Sequence, residues 1–298
     1  MYVGRVRRFA IRWLLTAGPA FVLITAISTA AVTVRQQLAN ATDSEFLQIK
    51  DRARHGDTGA EVAMGVAYED GIHVVKNVDE AIRWYRLAGE QGSAEVQHHL
   101  ATVYEAGQNF TEAAVWYRKA AEQGYAPAQC NLGTLYREGR GVGRDLAEAA
   151  KWFEVAARQG DTQAESNIGY MYNYGEGVRQ DYAEAVKWYR LAAQQGFAIA
   201  QKNLGTMYAL GQGVAQDEHE ALHWFAVAAD HGLAVAWVNE ALVYMQGSQV
   251  PRDYSRAGVL LNKAIAAGVV DAKPLLENLA AMQREPQTQT ADAAKPKR

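Results

Sequence analysis

The sequence predicts an all-α protein, an α-solenoid of about six helix-turn-helix repeats that follows one transmembrane helix. Two observations predict this class. A glycine recurs about every 36 residues through the middle of the chain, and an uncharged stretch of 22 residues lies near the N-terminus. The composition agrees, because 49% hydrophobic and 21% charged residues are usual for a folded protein. With only 6 Pro in 298 residues, long helices are favoured over turn-rich β structure.

Residues 1–12 form a basic segment, and residues 13–34 form the predicted transmembrane helix. Residues 13–34 carry no charge, and at about 1.5 Å rise per residue they reach the roughly 30 Å hydrocarbon core of a bilayer. Four Arg precede this stretch and Arg35 follows it. The positive-inside rule then predicts a cytoplasmic N-terminus, with everything after Arg35 across the membrane.

The same stretch also has features of a cleaved signal peptide, and this alternative stays open. Ala39-Asn40-Ala41 fits the small-residue cleavage pattern, although the apolar part of a signal peptide is normally about 7–15 residues long. Without cleavage the protein is a single-pass membrane anchor. With cleavage near Ala41 it is a soluble periplasmic protein. Both alternatives place the folded domain in the periplasm or another exported compartment.

Residues 60–268 form the predicted solenoid. Glycines at the ends of successive repeats are spaced 32, 36, 36, 36 and 36 residues apart, from Gly92 to Gly268. The first five close a stretch of the form W-[YF]-x-x-A-[AG]-x-x-G, where glycine suits the end of a helix. Apolar residues at spacings of three and four predict two amphipathic helices in each repeat, helix A and then helix B. Stacked repeats bury faces that one helical pair leaves exposed.

Three further features complete one repeat. Small residues on helix A, such as Gly133, permit a close approach of helix B. A G-x-G-V turn separates the two helices, and Asp145, Asp181 and Asp217 follow it at positions that suit the start of helix B. Outside the repeats, residues 35–59 form a linker with an N-terminal capping helix, and residues 269–284 form a C-terminal capping helix. Residues 285–298 have almost no apolar content and form a predicted disordered tail.

One pattern recurs in register through the middle of the chain: A-x-x-x-L-G-x-x-Y-x-x-G-x-G-V-x-x-D-x-x-x-A-x-x-W-[YF]-x-x-A-A-x-x-G. Ala128–Gly160, Ala164–Gly196 and Ala200–Gly232 carry nearly all of it. The pattern resembles the Sel-one-like repeat family, a relative of the tetratricopeptide repeat. The resemblance implies a right-handed α-solenoid with a concave groove lined by helix A. It also implies an adaptor that holds other proteins, in bacteria often exported and linked to envelope signalling, exopolysaccharide control or envelope assembly.

Some repeats depart from the pattern. The repeat ending at Gly124 is four residues short and has GQNFTEA in place of the G-x-G-V turn. The second turn glycine is His73 in the first repeat and Gln249 in the last, which also has Leu260-Leu261 in place of the Trp-aromatic pair. Terminal repeats of such arrays are usually atypical because they cap the stack.

The variable helix A columns identify the candidate binding groove. The fixed Leu, Gly and Tyr positions are core, so specificity is expected from the positions between them. Tyrosine and arginine are common anchors of protein interfaces. The middle of the groove offers five candidate partner-binding residues, namely Arg137, Tyr170, Asn173, Tyr174 and Lys202. The alternative for Tyr170 and Tyr174 is that they only cover neighbouring helices.

One catalytic motif needs to be weighed. Residues 219–223 (HEALH) fit H-E-x-x-H, which on a helix presents two His to zinc, and Glu240 is a candidate third ligand. In the repeat register His223 shares its column with Lys151 and Lys187, which indicates a solvent-facing position. The column of Glu240 otherwise holds Leu, Ile or Met, which indicates the core. We therefore predict no catalytic metal site, and His219 and His223 remain only weak surface candidates.

The sequence thus predicts a non-catalytic adaptor without a cofactor. Its candidate partners are proteins, such as a membrane sensor or an envelope assembly protein. Nucleic acid is excluded because the chain after Arg35 is acidic. The single cysteine, Cys130, excludes an internal disulfide framework. The alternatives are an envelope enzyme, either a zinc hydrolase or a cell-wall-active protein, and a passive spacer that presents its tail.

Overall fold

The computed structural model describes residues 29–284, which fold into fifteen α-helices without a β-strand. The basic segment, most of the predicted transmembrane stretch and the predicted tail lie outside the described residues. Within residues 29–284 no helix is both long enough and apolar enough to cross a membrane.

The described residues divide into two compact units, an N-terminal unit (29–180) and a C-terminal unit (181–284). The N-terminal unit contains α1 Thr29–Asn40, α2 Asp43–Arg54, α3 Thr58–Asp70, α4 Val78–Glu90, α5 Ala94–Ala106, α6 Phe110–Glu122, α7 Ala126–Glu138, α8 Leu146–Ala157 and α9 Thr162–Tyr174. The C-terminal unit contains α10 Tyr182–Gln194, α11 Ala198–Leu210, α12 Glu218–Asp230, α13 Val235–Gln246, α14 Tyr254–Ala266 and α15 Ala272–Arg284.

Each unit is built from the predicted helical pairs. In the N-terminal unit α3 packs on α4, α5 on α6 and α7 on α8, and each helix B then packs on the helix A that follows it. In the C-terminal unit α11 packs on α12 and α13 on α14, while α15 packs on α14. The all-helical repeat architecture that the sequence predicts is therefore confirmed.

The small column of helix A is where the aromatic ring of helix B packs. A Cβ atom on Gly133 would lie 2.9 Å from the ring of Phe153, and one on Gly205 would lie 2.8 Å from Phe225. Both rings are fully buried. The glycine costs about 1 kcal/mol inside a helix, and burial of a whole aromatic side chain against the helix backbone offsets that cost. The predicted close approach is confirmed.

Aspartates begin the helix B segments as predicted. The side chain of Asp145 accepts a hydrogen bond from the N–H of Glu148 at 2.9 Å. Asp181 and Asp217 each accept two such bonds from the first turn of α10 and α12. These carboxylates satisfy donors that would otherwise lack a partner at the start of the helix.

Two helices, α1 and α2, precede the first repeat, where the sequence analysis identified only a capping helix. Both α1 and α2 pack on α3, and Leu38 of α1 is 1% exposed. Arg35 pairs with Asp70 at 2.6 Å, and the Nε2 of His73 lies 3.0 Å from the carbonyl oxygen of Leu38. The last residue of the predicted membrane stretch, Val34, also packs against this core. Hence the folded part of the chain begins earlier than the sequence indicates.

Candidate functional site

In each unit the variable helix A positions form a surface that we call the helix A face of that unit. In the N-terminal unit it is carried by α3, α5, α7 and α9, and in the C-terminal unit by α11 and α13. Equivalent positions of successive helix A segments form columns on this face. One of them holds Glu69, Glu105 and Arg137 on successive helices of the N-terminal unit.

The two glutamates of that column are bonded within the protein. Glu69 accepts a hydrogen bond from the Tyr85 hydroxyl at 2.6 Å, and the Nε2 of His99 lies 3.0 Å from the same carboxylate. Burial acts to raise the pKa of Glu69, but hydrogen bonds from His99 and Tyr85 outweigh it, so the pKa lies below its ordinary value. Glu105 accepts from the Tyr117 hydroxyl at 2.7 Å in the same way. These bonds hold helix A to helix B and engage both glutamates within the protein.

Arg137, the third residue of the column, contacts the helix B ring in a different way from the two glutamates. The helix B ring beneath it is Phe153, which has no hydroxyl, and the helix A residue is Arg137, whose guanidinium carbon lies 5.9 Å from the ring centroid. Tyr lies beneath Glu and Phe beneath Arg, so the identity of the buried ring matches the residue above it. The sequence analysis missed this correspondence, although the alternation of Tyr and Phe in the W-[YF] dipeptide signals it.

Arg137 is one of four predicted groove residues in the N-terminal unit, and the structure places all four on α7 and α9. The rings of Tyr170 and Tyr174 lie 4.4 Å apart, and Tyr174 remains 37% exposed. Burial raises the pKa of Tyr170, while the charge of the nearby Arg137 acts to lower it. Asn173 is buried, and its Oδ1 has no hydrogen-bond donor in the structure.

Lys202, the fifth predicted groove residue, lies on α11 in the C-terminal unit. Its side chain is only 7% exposed, and burial lowers its pKa to about 8. No acidic side chain of the described residues opposes that shift. The sequence analysis placed Lys202 among the candidate groove residues, and in the structure its side chain is buried.

The H-E-x-x-H residues lie at the start of α12. His219, Glu220 and His223 are all exposed, and the His223 ring contacts Trp224 edge-on. Glu240 is buried on α13, with its carboxylate 3.7 Å from Arg256 on α14. The described residues contain no group of three side chains suited to hold a metal ion.

The surroundings of Cys130 are typical of a structural cysteine rather than a reactive one. It is buried, and burial first, then Asp161, raises the pKa of its thiol well above the ordinary value. The amide of Asn167 lies 4.0 Å from its sulfur atom. A thiol in this state is a poor nucleophile.

Two solved structures are similar to the chain over most of its length. A protective antigen of uropathogenic Escherichia coli, which displays an SLR fold, is 33% identical with a TM-score of 0.72. The match covers 82% of this chain, which spans 52% of the length of that antigen. A Sel1 repeat protein from Oxalobacter formigenes is 28% identical with a TM-score of 0.70, over 92% of this chain and 84% of that one. The chain matches no curated protein.

The family model of the Sel1 repeat matches six segments that follow one another along the chain. They are residues 59–93, 94–125, 126–161, 162–197, 198–233 and 240–269. These segments cover more than half of the sequence and contain the helical pairs described above. The chain therefore belongs to the Sel1 repeat family.

Proposed function

We propose that this protein is an adaptor that binds a partner protein or peptide on the helix A face of its N-terminal unit. Sel1 repeat proteins are generally protein-interaction scaffolds. The observation that carries the assignment to this face is the pair of tyrosine rings on α9. Tyr174 keeps 37% of its surface exposed while its ring packs on Tyr170.

The chemistry around this pair suits a peptide segment. Tyrosine offers a large, rigid contact area with a polar end, and such residues dominate the binding energy of many interfaces. Arg137 of the preceding repeat adds a cation, and its side chain is 9% exposed and packs near the Phe153 ring. The Oδ1 of Asn173 accepts no hydrogen bond from the part of the chain that the structure describes, and an N–H group of a bound chain would supply one.

Replacement of both tyrosines by alanine is expected to abolish partner capture. The double variant Tyr170→Ala/Tyr174→Ala removes both rings, and the loss of interface anchors of this kind costs about 2 kcal/mol or more each. The measurement is crosslinking and pull-down from membranes with the full chain as bait, with captured proteins identified by mass spectrometry. A partner that is captured equally by this variant would overturn the assignment to the helix A face.

The matched control lies on helix B of the same unit. Val155 on α8 and Leu87 on α4 are exposed apolar side chains comparable in setting to Tyr174. The variant Leu87→Ala/Val155→Ala is expected to leave capture unchanged. Deletion of 285–298 separates the adaptor from the passive spacer, because only a spacer that presents its tail loses its partner through that deletion.

The proposal also places the repeats outside the cytoplasm, tethered by the uncharged stretch that starts at Trp13. The charge distribution around that stretch supports this orientation. The contacts of α1 support retention over cleavage. Removal of residues up to Ala41 would strip the buried Leu38 from the core and break the pair of Arg35 with Asp70. Because Val34 packs on that core, the part of the stretch available to the bilayer ends before it.

The mature protein is accordingly expected to keep the residues before Leu38 and to stay with membranes during a carbonate wash. The measurement is intact mass and N-terminal sequencing of the chain recovered from the membrane fraction. Replacement of Ala39 and Ala41 by Leu, which removes the cleavage pattern, is expected to leave that mass otherwise unchanged. A mature N-terminus at Thr42 would contradict the tether.

A further inference from the structure

We infer that Lys202 and Asn239, on α11 and α13 of the C-terminal unit, form a subsite for the carboxylate of an acidic residue in a bound peptide. This inference rests on the proposed adaptor role and adds a separate binding position, on the helix A face of the C-terminal unit. Two independent observations carry it, one for each residue.

The first observation is a buried cation without an acidic partner. Lys202 is 7% exposed, and burial alone perturbs its ammonium group among the described residues. A buried charge is stable only when it is paired or hydrogen-bonded, so an unpaired lysine on a binding face is costly. With a pKa of about 8 the side chain is still mostly protonated at neutral pH. A carboxylate supplied from outside would relieve that cost.

The second observation is an amide whose hydrogen bonds are both missing. Asn239 is 1% exposed, and among residues 29–284 neither its Nδ2 nor its Oδ1 finds a hydrogen-bond partner. An amide deprived of both bonds is unusual for a buried polar group and points to a missing ligand atom. Its Nδ2 is a donor, which is the group that a carboxylate oxygen requires.

The repeat register brings these two residues to one place. In the N-terminal unit the asparagine equivalent to Asn239 contacts the preceding repeat at the position equivalent to Lys202. Asn131 lies 3.2 Å from the Nε2 of His98, and Asn167 lies 4.0 Å from the sulfur of Cys130. The same step of one repeat relates Asn239 to Lys202. By this register we expect the side chains of Lys202 and Asn239 to lie next to each other, where they offer two donors to one ligand.

The surroundings favour a peptide side chain over a free inorganic anion. Val238 and Leu242 follow on α13 and are buried with the apolar core of the unit. A carboxylate on an apolar stem suits these buried apolar neighbours better than a strongly hydrated inorganic anion, so the expected occupant at Lys202 is an acidic side chain of a bound peptide. Its carboxylate would accept hydrogen bonds from the ammonium of Lys202 and the Nδ2 of Asn239, and its charge would balance that of Lys202.

The test follows the Lys202 ammonium directly by NMR, in the full chain labelled with 13C at the lysine ε carbons. Lys202→Gln assigns the signal. In chloride we expect Lys202 to titrate near pH 8, and in acetate at the same ionic strength we expect an upward shift of at least about half a unit, because a bound carboxylate stabilises the ammonium. The exposed Lys187 is the internal control and should not respond. Equal responses of the two lysines, or an ordinary pKa in chloride, would overturn the subsite.

Variants and peptides identify the second donor and the source of the carboxylate. Asn239→Leu, similar in size but without donors, is expected to abolish most of the acetate-induced shift. Ac-Leu-Glu-Leu-NH2 should shift Lys202 and Ac-Leu-Gln-Leu-NH2 should not. If Ac-Leu-Gln-Leu-OH alone acts, the assignment to an acidic side chain is wrong. None of these measurements needs the partner, so a failed pull-down leaves the subsite intact and a failed titration leaves the adaptor proposal intact.

Discussion

Gly141→Ala is expected to destabilise the protein by more than about 3 kcal/mol, as measured by urea unfolding followed by circular dichroism. Gly141 has a φ of +70°, in the left-handed region that side chains rarely adopt. A Cβ atom there would lie 2.1 Å from the carbonyl oxygen of Phe110, in the first turn of α6 in the preceding repeat. That oxygen belongs to the backbone of a packed helix and has little room to move. The substitution therefore forces two neighbouring repeats apart.

Substitutions at two other glycines separate the contribution of backbone strain to this loss of stability from that of steric overlap. Gly160 has a φ of +85° but nothing within 4 Å of its Cβ position, so Gly160→Ala is expected to cost only the conformational strain, about 1 kcal/mol. Gly143 has open space and no positive φ, so Gly143→Ala should be neutral or stabilise by a few tenths of a kcal/mol. Similar losses for Gly141→Ala and Gly160→Ala would contradict a steric role for the turn at Phe110.

The sequence could predict those parts of the fold that, like the turn at Gly141, are set by residues within one repeat. A fixed spacing of glycine, aspartate and aromatic residues reflects local rules, because each residue serves a turn, a helix start or a helix contact within its own repeat. Asp145 and the Gly133–Phe153 contact were predictable for that reason. The leading helix α1 was not predictable, because its residues Thr29–Val34 are as apolar as a membrane segment. In addition, Asp70, which pairs with Arg35 of α1, lies 35 residues further along the chain.

The candidate site was predictable only in part, for a related reason. Column variability identifies positions that differ between repeats, but it does not show whether a side chain points to a partner or into its own repeat. Glu69 and Glu105 differ from Arg137 because the ring beneath them differs, and only the contacts show this. Lys202 is the opposite case. A single lysine in a column gives no sign of burial, which depends on the neighbouring helices.

Glu218→Gln is expected to destabilise the C-terminal unit by about 3 kcal/mol at neutral pH, because hydrogen bonds to a charged acceptor are worth about 1.5–3 kcal/mol each. The carboxylate of Glu218 is 2% exposed and accepts from the N–H groups of Gln249 at 2.7 Å and Val250 at 2.9 Å. The Ser248 hydroxyl donates to it as well. These bonds hold the last turn, where Gln249 replaces the second turn glycine. A glutamine keeps an oxygen for the two backbone N–H groups and donates its NH2 to the Ser248 hydroxyl, so the stability is lost through the charge of the acceptor.

The pH dependence of unfolding gives the sharper test of the same carboxylate. Burial acts to raise the pKa of Glu218, but the bonds from Ser248, Val250 and Gln249 outweigh it and leave the pKa below its ordinary value. A carboxyl group with a depressed folded pKa stabilises the fold above its unfolded pKa, about 4.3, and that contribution is lost as the pH falls through the folded value. The wild type should therefore lose stability relative to Glu218→Gln as the pH falls from 7 to 3. Glu220→Gln, at an exposed position on the same helix, should change stability by less than about 0.5 kcal/mol. If the difference in free energy of unfolding between the wild type and Glu218→Gln does not narrow in acid, the charge of Glu218 does not organise the turn.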